Sequence, residues 1–203
     1  MRAYLIPATL IPATLGAAML GGLSLPASAD PARYEIDPEH TTVAFLVDHV
    51  GYAAVLGVFD EVSGGFTYDI DTQELSDLRV TVATGSVGSR NAARDGHLRS
   101  ADFLDTDAFP EMVFAADGGT PEGDASGTVT GGLTLLGETH PLTLDVTLNK
   151  AAAYPFGHGR FTLGLTARGS LMRSDWGMTY GVDNGMVADE VRLIIETEAT
   201  RAE

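Results

Sequence analysis

Apolar and polar residues alternate with a period of two along most of the chain after residue 30, which is typical of strands that bury one face. Helical periodicity is nearly absent outside one segment. The repeating apolar positions fall into six groups: Val43, Phe45 and Val47; Phe66, Tyr68 and Ile70; Leu78, Val80 and Val82; Leu142, Leu144, Val146 and Leu148; Phe161, Leu163, Leu165 and Ala167; and Val191, Leu193 and Ile195. The pattern predicts an all-β protein.

Glycine-rich breaks separate these groups, as at Gly118-Gly119 and Gly131-Gly132, and they predict hairpin turns or bends between about eight antiparallel strands. The exception is residues 91–105, where helix formers accompany Leu98 and Phe103 and predict a short helix followed by a turn. Eight strands can form a two-sheet sandwich or a closed barrel, and a barrel of this size holds one small ligand. Periodicity alone does not choose between them.

The first 29 residues have the features of a signal peptide. Arg2 provides the positive start, an apolar stretch follows, and Ala27-Ser28-Ala29 fits the small-residue cleavage pattern. An uncleaved membrane anchor is the alternative, but Pro7, Pro12 and the cleavage triplet disfavour it. We expect cleavage after Ala29, with residues 30–203 forming one periplasmic or secreted domain that has no stable membrane insertion.

Charge and cysteine content exclude several classes of function. The chain carries 28 acidic and 12 basic residues, and this net charge of -16 repels nucleic acids and anionic membrane surfaces. Cysteine is absent, which excludes disulfides, thiolate metal sites, cysteine nucleophiles and an acylated lipoprotein terminus.

Candidate chemistry is sparse. The sequence contains no Gly-x-Ser-x-Gly elbow, phosphate loop or dinucleotide fingerprint, so no catalytic residue and no cofactor are predicted. The five histidines lack the spacing of metal ligands, so no metal site is predicted either. His49 ends the apolar row that contains Phe45 and Val47, where it could contact a ligand or serve the structure.

A local basic patch stands out on this acidic chain. If residues 91–99 are helical, Arg90, Arg94 and His97 share one side. These groups could meet the oxygen-rich head of a bound lipid, or they could pair with neighbouring carboxylates. Trp176, the single tryptophan, could sit at a barrel rim or plug the core.

Seven motifs spread over the chain carry a family resemblance. They are Tyr34-Glu35-Ile36-Asp37 with His40-Thr41, Phe45-Leu46-Val47-Asp48-His49, Gly57-Val58-Phe59, and the stretches 65–69, 94–104, 132–139 and 173–178. Together they resemble the YceI-like family of exported, lipocalin-like, polyisoprenoid-binding proteins. The resemblance implies a barrel with an elongated apolar pore for an isoprenoid chain, such as a quinone tail or polyprenyl phosphate, and no established catalytic activity.

We therefore expect an eight-stranded antiparallel lipocalin-like barrel that binds an isoprenoid lipid or isoprenoid quinone. The residues expected to line its pore are Phe45, Val47, Phe59, Phe66, Val82, Phe103, Phe114, Leu144, Phe161, Leu163 and Leu193. Those expected near the head group are His49, Arg94, His97 and Trp176.

Two other functions stay open at this point. One is an enzyme with His49 or His97 as a general base, which would require a partly buried histidine beside a carboxylate. The other is a stress protein whose barrel is filled by its own side chains. Pairing of two barrels into a homodimer is also open.

Overall fold

The strands of the computed structural model form one sheet that closes on itself. The structure describes residues 30–203, so the expected leader and its cleavage after Ala29 lie outside the described residues. The strands of this part of the chain are β1 (Ala32–Ile36), β2 (Thr42–His49), β3 (Ala53–Phe59), β4 (Val62–Tyr68), β5 (Leu75–Ala83), β6 (Val87–Gly88), β7 (Glu111–Ala116), β8 (Thr120–Pro121), β9 (Ser126–Leu135), β10 (Glu138–Ala153), β11 (Phe161–Met172) and β12 (Val187–Arg201).

These strands occupy eight positions around the wall, because four pairs of consecutive strands are the two halves of one bent strand. Along β12, for example, Leu193 pairs with Phe45 of β2, and Arg201 pairs with Tyr34 of β1. The same arrangement holds for three other pairs, in each of which the two strands continue one another along the same position of the wall: β3 with β4, β5 with β6, and β7 with β8. Each position pairs antiparallel with its sequence neighbour, and β12 closes the ring on β1. The predicted eight-stranded antiparallel barrel is confirmed.

The bend between β1 and β2 has a clear local cause. A 3-10 turn, Pro38–His40, interrupts the strand, and the Asp37 side chain caps it by accepting a hydrogen bond from the Glu39 N–H at 2.9 Å. Proline at this position has no N–H to contribute to the sheet. A second 3-10 turn, Thr84–Ser86, separates β5 from β6.

The predicted short helix is also confirmed, as α1 (Ala92–Arg99). Asn91 caps its start by accepting a hydrogen bond from the Arg94 N–H at 3.0 Å, and the Ser100 hydroxyl donates to the His97 carbonyl at its end. Together with residues 173–186, α1 lies at one end of the barrel, which we call the helix end. No helix among residues 30–203 is long and apolar enough to cross a membrane.

The interior contains two apolar clusters. Near the opposite end, where β1 begins and β12 ends, buried side chains form a compact group that we call the plug. Its members are Ala32, Tyr34, Phe66, Leu163 and Ala199. The larger cluster extends from mid-barrel to the helix end and includes Phe114, Leu144 and Trp176. The end that carries the plug is called the plug end below.

Candidate functional site

A cavity of about 750 Å³ runs through the barrel. Its size falls within the range of sites that hold small organic ligands. The wall consists mainly of the inward side chains of the strands, which are aliphatic or aromatic for most of its length. A barrel filled by its own side chains, one of the alternatives from the sequence, does not agree with this cavity.

Nine of the eleven residues expected to line the pore lie on the cavity wall. They are Phe45, Val47, Phe59, Phe66, Val82, Phe103, Phe114, Leu144 and Leu193. Phe45 and Phe59 touch each other with ring centroids 5.5 Å apart. Alternation along the strands places eight of these side chains inside, whereas Phe103 reaches the cavity from the turn after α1.

The other two, Phe161 and Leu163, are absent from the wall. Leu163 is only 1% exposed and belongs to the plug, and Phe161 packs against the plug. Both lie at the start of β11, whereas Leu165 and Ala167 further along the strand do line the cavity. The period of two fixes which face points inward, but it does not show where along the barrel the interior is filled.

Three of the four residues expected near a head group lie at the helix end of the cavity: His49, Arg94 and His97. His97 Nε2 lies 2.8 Å from Asp102 Oδ2, and its ring makes edge contacts with Phe103 and Tyr180. The structure therefore places a half-buried imidazole, paired with a carboxylate, at the helix end of the cavity.

The fourth, Trp176, is not on the cavity wall. It is buried, its indole N–H donates to the Leu133 carbonyl at 3.2 Å, and its ring meets His140 edge-on. Of the two positions considered from the sequence, the structure shows the core, since Trp176 belongs to the larger apolar cluster and not to the rim of the cavity. The backbone carbonyl that satisfies the indole comes from a distant strand.

Arg173 is a charged wall residue to which the sequence analysis gave no role. It is buried, and its guanidinium donates to the carbonyls of Met178, Tyr180, Val187 and Ala188 at 2.6 to 3.0 Å. Burial lowers the pKa of Arg173, and this is opposed by nearby Asp189. Because four of its five N–H donors are engaged by the protein, Arg173 holds residues 178–188 over the helix end and has little capacity left for a ligand.

α1 is held in place by a second set of polar bonds. Arg94 donates to the Ser89 hydroxyl at 2.7 Å and the Ser89 carbonyl at 2.6 Å, and Arg99 donates to the Val87 carbonyl at 2.6 Å. The Asp95 carboxylate accepts from the Ser89 N–H and hydroxyl. Arg94 and Arg99 therefore bind backbone carbonyls and a serine, which neither sequence interpretation anticipated.

The cavity wall also includes a second rim, near the plug end, formed by the turns before β5 and β9. Gln73, Thr120, Asp124 and Ser126 line it, and the last three are exposed. This rim carries the Asp124 carboxylate and neutral groups, whereas the helix end carries the Asp48 carboxylate together with Arg94 and two histidines. The basic and imidazole side chains of the wall thus lie at the helix end.

Exposed apolar side chains border the helix end. Tyr52 is 92% exposed, and Val50 and Met186 are about half exposed beside it. The Val50 N–H donates to the Met186 carbonyl at 3.0 Å, which joins the β2–β3 turn to the residues that precede β12. An apolar rim of this kind is typical of a surface that contacts apolar partners.

Comparison with known proteins agrees with this geometry. The family model described as the YceI-like domain matches residues 34–199. Protein YceI of Salmonella arizonae is 38% identical over 176 residues, which are 86% of this chain and 90% of the relative.

Two solved structures have the same fold. The Campylobacter jejuni YCEI protein is similar with a TM-score of 0.70 and 28% identity, over 77% of this chain and 90% of that chain. A polyisoprenoid binding domain from Saccharophagus degradans is similar with a TM-score of 0.57 and 13% identity, over 83% of this chain and 98% of that chain. At 13% identity the likeness concerns the fold alone.

Proposed function

The chain belongs to the YceI-like family, and from this premise we propose that it is an exported protein that holds a long isoprenoid, such as a quinone tail or polyprenyl phosphate, inside its barrel. The observation that carries the proposal is the apolar cavity of about 750 Å³. Its elongated course favours a chain over a compact ligand. The Saccharophagus degradans neighbour, described as a polyisoprenoid binding domain, supports the ligand class.

Burial of apolar surface supplies the affinity. Each 100 Å² of ligand surface that leaves water contributes about 2.5 kcal/mol, from which the cost of association is deducted. Aliphatic and aromatic walls impose few directional demands, so chain length governs binding more than chemical detail. The half-buried His97 and the exposed His49 offer polar contacts to a head group at the helix end.

The direct test is mass spectrometry of organic extracts from the purified protein, expressed with its own leader in a bacterium, against a mock purification. We expect an isoprenoid quinone or polyprenyl species in near-stoichiometric amount. An empty extract from folded protein would contradict the proposal.

A cavity-filling variant makes this test specific. Ala167 is buried on the cavity wall, so Ala167→Phe places a ring in the space that the chain would occupy. We expect its extract to lose most of the isoprenoid. Ala54→Phe introduces the same ring at an exposed position of β3 and should retain it. Circular dichroism establishes that both variants fold.

Export is the second part of the proposal. It predicts that the protein recovered from the periplasm or medium begins at Asp30, which N-terminal sequencing measures directly. An intact N-terminus on exported protein would contradict cleavage after Ala29.

An enzyme remains the second candidate, because His97 meets the requirement of a half-buried histidine beside a carboxylate at the cavity. His97→Gln separates the two functions. A carrier retains its isoprenoid in this variant, whereas an enzyme that uses His97 as a base would accumulate unconverted substrate that the unsubstituted protein does not contain.

A further inference from the structure

A group of polar side chains lies on the outside of the wall, apart from the cavity. It consists of Asp37, His40 and Glu198, whose potential ligand atoms all lie within 4.8 Å of one another. His40 Nδ1 lies 2.9 Å from Asp37 Oδ2. Thr197 lines the cavity, so the next residue of β12, Glu198, points away from it.

Glu198 has an unusual environment. Its Oε2 is shut off from solvent and has no hydrogen-bond partner among residues 30–203. Tyr154 lies nearby, and the pKa of Tyr154 is raised first by burial, then by the Glu198 charge and by a hydrogen bond to the Glu198 side chain. A carboxylate oxygen without a partner costs free energy when buried, and a cation is the partner that removes this cost.

We propose that Asp37, His40 and Glu198 bind a divalent first-row transition metal ion, with Zn²⁺ as the representative ion. One imidazole and two carboxylates form a mixed nitrogen and oxygen set, which suits such ions, whereas Ca²⁺ and Mg²⁺ favour oxygen alone. With neutral His40 the three groups carry two negative charges, which a divalent ion balances. A water molecule completes a tetrahedral shell.

The distances are compatible with this assignment after a small adjustment. Tetrahedral Zn²⁺ with ligands at about 2.0–2.2 Å brings its donor atoms to about 3.4 Å from one another. The His40 side chain is 49% exposed and held by its hydrogen bond to Asp37, which a metal ion would replace. The backbone bond from the Asp37 N–H to the Glu198 carbonyl at 2.9 Å keeps the two residues adjacent. Since the ligand atoms already lie within 4.8 Å of one another, side-chain rotations of about an ångström would bring them to this spacing.

Calorimetric titration of the chelator-treated, dialysed protein with Zn²⁺ tests the proposal. We expect one saturable site per chain, and affinity reduced by more than about tenfold in each of His40→Gln and Glu198→Gln. A matched control is His140→Gln, since His140 pairs with Glu138 at 3.1 Å but belongs to no such three-ligand group in the described chain. That variant should bind Zn²⁺ as the unsubstituted protein does.

Thermal melting with and without Zn²⁺ gives a second readout, because an ion that binds the folded state raises Tm. The rise should occur in the unsubstituted protein and in His140→Gln and disappear in Glu198→Gln. Absence of a saturable site would overturn the proposal, as would loss of binding in His140→Gln equal to that in His40→Gln. Since the site lies outside the cavity, neither result depends on isoprenoid binding.

Discussion

The two ends of the barrel interior are closed in different ways. At the plug end, side chains from the strands themselves fill most of the space, with Tyr34 and Leu163 at most 2% exposed, and the cavity reaches only the rim formed by the turns before β5 and β9. At the helix end the strands leave the space open, and separate segments cover it through the polar bonds of Arg173, Arg94 and Arg99. The plug end is therefore closed by side chains of the barrel strands, whereas the helix end is covered by segments outside the strands.

The two kinds of closure differ in how easily they could open to let a ligand enter the cavity. Close-packed apolar side chains cannot separate without loss of the core, because interiors are packed at the density of organic crystals. Segments held by a few hydrogen bonds can move locally at smaller cost, and binding loops are typically such regions. The helix end is therefore the end at which we expect a long apolar ligand to enter.

Removal of Arg173 should have the largest effect. Arg173→Leu leaves four carbonyls without their donor, and we expect a loss of about 4 kcal/mol in the free energy of unfolding. Urea denaturation measures it. If the loss were below about 1 kcal/mol, water would replace the guanidinium easily and the helix end would not depend on Arg173.

Truncation of the plug should come next. Leu163→Ala creates a void in a filled region, so we expect a loss of about 3 kcal/mol with isoprenoid content unchanged. Leu193→Ala is the matched control, since Leu193 is only partly buried on a cavity that already exists and should cost about half as much. Equal losses in the two variants would remove the distinction between plug and wall.

Sequence alone predicted the fold and much of the wall, because alternation, turn residues and family motifs all agree with one closed sheet. It could not predict where the plug ends, since Leu163 and Leu165 share a face of one strand but only Leu165 lines the cavity. Whether the interior is filled at a given depth of the barrel depends on the sizes of side chains from neighbouring strands. The pattern within one strand does not contain this information.

Other features depend on residues that are far apart in the chain. Trp176 is buried because the Leu133 carbonyl accepts its N–H, and His40 meets Glu198 because β1 pairs with β12. The spacing of histidines in the sequence could not indicate the group of Asp37, His40 and Glu198. Asp37 and His40 lie near the start of the barrel sequence, whereas Glu198 lies near its end. Arg173 likewise depends on distant partners, since it donates to Met178 and Tyr180 in an irregular segment and to Val187 and Ala188 at the start of β12.

Gly57→Ala should have a smaller effect on the free energy of unfolding. This variant tests how far the side chains around the cavity can adjust. A Cβ at Gly57 would lie 2.1 Å from Cζ of Phe45, so the ring must move. Since Phe45 faces the cavity, it has room, and we expect a loss of about 1 kcal/mol with reduced isoprenoid content. Retention of full isoprenoid content would show that the ring moves along the wall and not into the cavity.

The smallest effect should come from the bond that joins α1 to the β6 region. Hydrogen bonds from Ser89, first from its side chain and then from its backbone, lower the pKa of Asp95. A lowered pKa in the folded state means that Asp95 stabilises the fold above its unfolded pKa of about 3.9, and that this contribution is lost as pH falls through the folded value. Asp95→Asn should therefore melt slightly below the unsubstituted protein at neutral pH.

The difference in Tm should shrink as the pH falls below 4, because the unsubstituted carboxylate then becomes protonated as well. Thermal melting of both proteins across this range measures the convergence. Glu122→Gln, on the exposed turn between β8 and β9, is a control for the loss of one negative charge. If Asp95→Asn and Glu122→Gln behaved alike at every pH, net charge would explain the effect, and the tether of α1 would contribute nothing to the stability of the helix end.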